Sequence, residues 1–173
     1  MKLPFRKFSP AWLAILALLQ GCGQAPSTSA PNPAGPPPKV KTETRLAHYD
    51  LERDESRGGH TVKRHVGRSD VQLQERLGRE RNISAASTWT DLYTAELTVA
   101  AGLQAERGRV EIWMSRGYPR ANLALHYDAG HPIGRSLRRG ARRTVDCTAV
   151  VIVLRADGPD GFFVLTAYPE AGE

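Results

Sequence analysis

The sequence of 173 residues predicts an α+β fold, with N-terminal helices packed on an antiparallel sheet and no disulfides. Three observations predict it. Apolar residues recur at helical spacing as far as Trp113, and at period two or in β-branched runs after it. Helices that precede the strands, instead of alternating with them, favour an antiparallel sheet. Of the two cysteines, Cys22 is taken up by the lipidation expected at its thiol, so Cys147 is left without a partner.

Residues 1–21 read as a secretory leader: a basic head of Lys2, Arg6 and Lys7, then an apolar stretch from Ala11 to Leu19. That stretch is shorter than the roughly 20 residues of a membrane-spanning helix. The ending LALLQGC resembles a bacterial lipobox, which implies cleavage before Cys22 and lipidation of its thiol. Several acyl chains would anchor the product firmly, at about 0.8 kcal/mol per buried CH₂. Gly23, not Asp, follows the cysteine, so the expected address is the bacterial cell envelope, with the outer membrane favoured. An ordinary cleaved signal with a chance cysteine is the alternative.

Residues 22–57 are expected to be a tether. GQAPSTSAPNPAGPPPKV is rich in proline and small polar residues, which bury little and stay extended. Residues 41–57 carry mixed charge without clean periodicity, with Leu46, Tyr49 and Leu51 as the sizeable anchors, and read as loop or weak helix. Gly58-Gly59 marks the start of the folded domain, residues 58–173.

Val62, His65 and Val66 lie at helical spacing until Gly67 interrupts. Ser69 or Asp70 can cap a second helix with Val71, Leu73 and Leu77 turned inward. Leu92, Ala95, Val99 and Leu103 form a third stripe behind Thr90 or Asp91, although Gly102 costs that helix about 1 kcal/mol. A short helix holds Val110, Ile112 and Trp113 and ends at Gly117-Tyr118-Pro119. Ala121–Tyr127 and Ile133–Leu137 are short strands. Ala149–Leu154, apolar throughout and rich in valine and isoleucine, is a central buried strand. Cys147 precedes it as a buried small hydrophobe. After the turn cluster DGPDG, Gly161–Tyr168 forms the last strand.

The formal charge is +6, half of it in the leader, which leaves a mild basic bias compatible with an anionic partner. Arg135, Arg138, Arg139, Arg142 and Arg143 crowd one segment. Such a cluster suits phosphate, because the guanidinium fork donates two parallel hydrogen bonds; it also serves as a solvated loop.

The five histidines show no zinc-helix spacing, and CxxC, GxSxG and a glycine-rich loop ending in lysine are missing. Metal, serine-hydrolase and nucleoside-triphosphate chemistry therefore lack support, and no cofactor is expected. A general acid–base set remains. His65 lies among cations in KRHVGRS, which lower a histidine pKa and favour a proton-accepting imidazole. Arg76 follows eleven residues later, close to three helical turns, and would share its face if the helix ran through Gly67. Thr166 and Tyr168 share one face of the last strand by period two, with Val164 expected beside them.

GGHTVKRHVGRSDVQLQERL, AASTWTDLYTAELTVA and GFFVLTAYP, in that order, resemble the bacterial RNase A-like domain found at the C-termini of contact-dependent growth-inhibition toxins. The resemblance covers about residues 58–170 and is weakest over 120–144. It implies a kidney-shaped RNase A-like fold with a curved sheet and no disulfides, and a metal-independent ribonuclease. It implies catalysis by His65 in RHV, Arg76 in the ERL step, and Thr166 and Tyr168 in LTAYP. His60 in GGHT belongs to the same pattern, as a structural or substrate-binding group; Arg64, Arg138 and Arg139 are the further candidates for binding RNA. Family domains end long delivery proteins paired with an immunity protein, whereas here the domain follows a leader and a tether. The expected function is an exported, lipid-anchored ribonuclease that cleaves RNA through its 2′-hydroxyl, an interbacterial toxin with a cognate immunity partner. The alternative is a non-catalytic envelope lipoprotein of the same fold that binds nucleic acid or a protein.

Overall fold

The computed structural model describes residues 48–172, so Cys22, the leader and most of the tether lie outside the described residues. Among the described residues five helices and six strands follow one another: α1 (Leu51–Ser56), α2 (Thr61–His65), α3 (Asp70–Arg79), β1 (Ala85–Trp89), α4 (Leu92–Ala105), α5 (Arg107–Met114), β2 (Leu123–Asp128), β3 (Gly134–Arg138), β4 (Val145–Cys147), β5 (Ala149–Ala156) and β6 (Phe162–Glu170). The class is α+β, as the change of period predicts. The strands divide between two antiparallel three-stranded sheets, ordered β1-β3-β4 and β2-β5-β6. Cys147 is a free, buried thiol whose pKa burial raises to about 11, so it serves as a core residue.

The folded part begins earlier than Gly58. Residues expected to close the tether form α1, where Leu51 and Asp54 are buried. Asp50 caps this helix through Arg53 N. Asp54 is a charge in the interior, and it persists because its Oδ2 accepts from Val164 N at 2.7 Å and from Tyr49 Oη at 2.6 Å. The partner in β6 lies 110 residues along the chain.

Ser69 caps α3 in a reciprocal box with Gln72, and Leu73 and Leu77 bury against Ala86 and Leu137. Val71, expected inward, is exposed, because it lies off the stripe that Leu73 and Leu77 define. Asp91 caps α4, whose Ala95 and Val99 join the main core with Trp89, Ile152 and Leu154. Gly102 is a close approach: a Cβ there would stand 2.7 Å from Ile152 Cδ1. In α5, Val110 and Trp113 face in while Ile112 faces solvent.

β5 is the central strand of its sheet, with β2 and β6 on either side, and Val150, Val151, Ile152 and Leu154 are all buried. A register shift between Val153 and Leu154 sets Thr166 opposite Val153 and Val164 opposite Leu154. Leu165 is therefore an extra residue, a bulge that breaks the period-two pattern of β6. Val164 accordingly joins Ala167 in the core instead of sharing the face of Thr166 and Tyr168.

Candidate active site

A cavity of about 850 Å³ opens between α3, the end of β3 and the outer part of β6. His60, His65, Arg76, Arg138, Thr166 and Tyr168 all line it. The four residues expected to carry catalysis thus converge, although they come from three elements.

β6 is fixed where it matters. Between Thr166 and Tyr168, Ala167 donates its N–H to Thr61 Oγ1 at 2.8 Å, and its carbonyl accepts from Trp89 Nε1 at 3.0 Å. The bulge is secured too: the Leu165 carbonyl accepts from His60 N at 2.9 Å, and Asp54 holds Val164 N. Gly59 permits this approach, since a Cβ there would stand 2.8 Å from the carbonyl oxygens of both Asp54 and Val164. With neighbouring backbone groups bonded in this way, the side chains at 166 and 168 have defined directions.

His65 ends α2 and is 6% exposed. Its Nδ1 lies 3.2 Å from the Ser87 carbonyl. A carbonyl accepts only, so Nδ1 carries the proton and Nε2 keeps a free lone pair. Burial first, and the Arg76 charge second, push its pKa down to about 3, so the ring is neutral at neutral pH. Tyr168 stacks on it, with ring centroids 5.4 Å apart and planes at 27°. Burial, with Glu170 adding to it, raises the Tyr168 pKa, so the phenol stays protonated and can donate.

Arg76 reaches the cavity by another route than a continuous helix. Gly67, at φ +65°, breaks the chain between α2 and α3, a conformation that suits glycine. α3 then packs on β1 and β3, which returns Arg76 to His65. Its Nε faces Glu80 at 3.3 Å, while its Nη1 is buried without a hydrogen-bond partner. Thr166 Oγ1 is buried and unpartnered as well. Two orphaned polar atoms therefore line the wall that also holds a neutral imidazole. Unsatisfied buried groups are costly, at about 1–3 kcal/mol each, and a ligand with acceptor oxygens would relieve both.

The remaining candidates separate. His60 lines the cavity, and burial with the Arg64 charge lowers its pKa. It caps α2 without using its side chain, because Glu55 accepts from Val62 N and Lys63 N in its place. Arg64 is exposed and outside the lining; its positive charge acts on His60 and His65 from a distance. Arg138 lines the cavity and donates to the Gly172 carbonyl at 3.3 Å. Arg139 does not reach it: its guanidinium is spent on the carbonyls of Leu77, Glu80 and Ile83, closing the end of α3. Arg135 is similarly occupied by Asp70 and the Arg68 carbonyl. Sequence reasoning missed Asn82, Ser84, His126 and Glu170, which also line the cavity. Period two from Thr166 through Tyr168 was a signal for Glu170; His126 had none without the strand register. Among the described residues, no group of three or more His, Cys, Asp or Glu gathers to hold a metal ion.

Comparison with known proteins shows the family. The family described as the bacterial CdiA-CT RNAse A domain matches residues 59–169. A solved CdiA-CT/CdiI complex from Y. kristensenii 33638 contains a chain similar to this one, with 30% identity and a TM-score of 0.59, covering 65% of this chain and 99% of that one. Among curated proteins none matches. The matched segment contains every element from α2 to β5 and nearly all of β6, and with them the whole catalytic candidate set, so this chain belongs to the bacterial CdiA-CT RNAse A domain family.

Proposed function

We propose that this domain is a ribonuclease that works without a metal ion and cleaves RNA by attack of the ribose 2′-hydroxyl on the adjacent phosphorus. The observation that carries the reading is the pair of orphaned polar atoms, Arg76 Nη1 and Thr166 Oγ1, beside the free lone pair of His65. His65 Nε2 takes the 2′-OH proton as general base. The 2′-oxygen bonds to phosphorus, the bond from phosphorus to the 5′-oxygen breaks, and the departing oxygen takes a proton, for which the protonated Tyr168 hydroxyl is the donor. The products are a 2′,3′-cyclic phosphate and a 5′-hydroxyl. Arg76 stabilises charge on the phosphoryl oxygens as a preorganised donor, and Thr166 holds the phosphate or sugar in place.

An imidazole with a pKa of about 3 is a weak base, and part of the depression comes from Arg76. A phosphate entering between them neutralises that charge and raises the basicity of His65 where the reaction needs it. RNA should therefore be cut in the presence of EDTA, DNA of the same sequence should survive, and the products should carry a 2′,3′-cyclic phosphate. His65→Ala should lower cleavage by about 10²–10⁴ with the domain still folded. In wild type, the acid limb of kcat/KM reports the free enzyme and should fall well below the ordinary histidine pKa of 6.5. Cleavage by His65→Ala at the wild-type rate, or abolition by the chelator, overturns the mechanism.

The same reading makes the chain a toxin with a cognate binding partner; a relative solved as a CdiA-CT/CdiI complex supports it. It further takes Cys22 as lipidated and the domain as held at the bacterial envelope, on the strength of the leader and its LALLQGC ending. Cys22→Ser should release the chain from membrane fractions. Unchanged fractionation with no acyl label in either form rejects the anchor.

A further inference from the structure

The outer end of the cavity holds a second pair that catalysis does not use. His126 on β2 is directly opposite Val151 on β5, and Val151 is opposite Tyr168 on β6. Residues opposite one another share a face, so His126 lies on the Tyr168 side of the sheet, two strand spacings or roughly 10 Å away. Glu170, two residues past Tyr168, continues the same face. Glu170 Oε2 and His126 Nδ1 are 3.5 Å apart, their side chains 48% and 66% exposed, and both line the cavity.

A carboxylate is out of place in a wall meant for phosphate, since it repels an anion. It is an acceptor only, and it suits a ligand part that brings donors. In RNA those are base edges, which single strands splay out for recognition. Guanine presents two adjacent donors, N1–H and N2–H₂, matching the two oxygens of a carboxylate. Uracil offers one donor, and the exocyclic amines of adenine and cytosine lie next to acceptors. Glu170 lies four residues past Thr166 on β6, roughly 13 Å of strand, so a base that reaches it can belong to a nucleotide whose phosphate occupies the Arg76 and Thr166 end.

We infer that Glu170, with His126 beside it, forms a base subsite that selects guanine beside the scissile phosphate. The inference rests on the ribonuclease reading for its meaning, but base binding can be measured without cleavage. Isothermal titration of the full chain would compare the 3′- and 5′-monophosphates of guanosine, adenosine, uridine and cytidine. One guanosine isomer should bind about tenfold tighter than its counterparts, as a bidentate contact provides, and the preferred isomer tells on which side of the scissile bond the base lies. Glu170→Gln should erase the preference, and His126→Ala should weaken it; both positions are exposed enough to change without unfolding. Equal binding of all four bases, binding of none, or a preference that survives in Glu170→Gln overturns the subsite. A guanosine preference without any RNA cleavage would sink the ribonuclease reading and leave the subsite standing, and base-blind cleavage would do the reverse.

Discussion

The wall made by α2 and β6 brings polar groups to the cavity, and the turn between β3 and β4 carries exposed arginines, on opposite terms. In the wall, backbone groups are bonded across the fold: Ala167 to Thr61 and Trp89, Leu165 to His60, Val164 to Asp54. On the turn, Arg142 and Arg143 are exposed, with no hydrogen bond or ion pair among the described residues. Proton transfer and charge stabilisation depend on fixed geometry, and a displacement of about 1 Å can cost about 10²-fold. Attraction of a polyanion depends on charge and distance. Substitutions in the wall should therefore change turnover, and substitutions on the turn should change encounter.

The largest effect that would sharpen this contrast belongs to Arg76. Arg76→Ala should lower kcat by about 10²–10³, the usual loss for one preorganised donor to a transition-state oxygen. Arg76→Lys should recover little, because an ammonium lacks the planar fork that puts Nη1 at the wall while Nε faces Glu80. Single-turnover cleavage with each variant checks it. Full rescue by lysine would mean that charge alone suffices there, and the wall would differ little from the turn.

A residue remote from any proton transfer gives a smaller effect. Thr61→Val is nearly isosteric and removes the acceptor for Ala167 N. Leaving that buried N–H unpaired should cost about 1–3 kcal/mol of stability, read as a lower denaturation midpoint. Below that midpoint, kcat should fall while KM moves little, because Thr166 and Tyr168 lose their common support. Lost stability with unchanged kcat would show that the clamp serves folding alone.

How much of this could be read in advance divides along the same line. Locally encoded features were legible: the caps at Ser69 and Asp91, the stripes through Leu73 and Leu77 and through Ala95 and Val99, and the apolar run of β5. β1 was not, because AASTW has the small polar residues of a loop; Ser87 and Thr88 are buried there and bind the ring and backbone of His65. α1 was legible only as the weak-helix alternative for residues 41–57, and its packing was not, because Asp54 finds its partner 110 residues away. The residues alone suggested His65, Arg76, Thr166 and Tyr168 as an acid–base set and the family resemblance assigned them to catalysis, but helical spacing linked His65 to Arg76 for a reason that Gly67 invalidates. Thr166 and Tyr168 do share a face, while the bulge at Leu165, set by a register with β5, removed Val164 from it. The arginine segment read as one cluster, yet Arg135 and Arg139 are consumed by carbonyls and by Asp70. What a residue's neighbours leave free is a property of the fold.

The smallest effect concerns the turn. If Arg142 and Arg143 act by charge alone, replacing both with glutamine should leave kcat and the melting temperature nearly unchanged, since exposed and unpaired side chains contribute little to stability. KM for long RNA should rise severalfold at low salt, and the difference should vanish as ionic strength increases. Each lost phosphate contact should reduce the slope of log affinity against log salt by about 0.7 for a single strand, so the pair sets an upper bound of about 1.4. The same changes should have little effect on a dinucleotide bound in the cavity, since Arg142 and Arg143 do not line it. A drop in kcat on the dinucleotide would mean that the turn enters the reaction geometry, and the division between a fixed wall and a charged turn would fail.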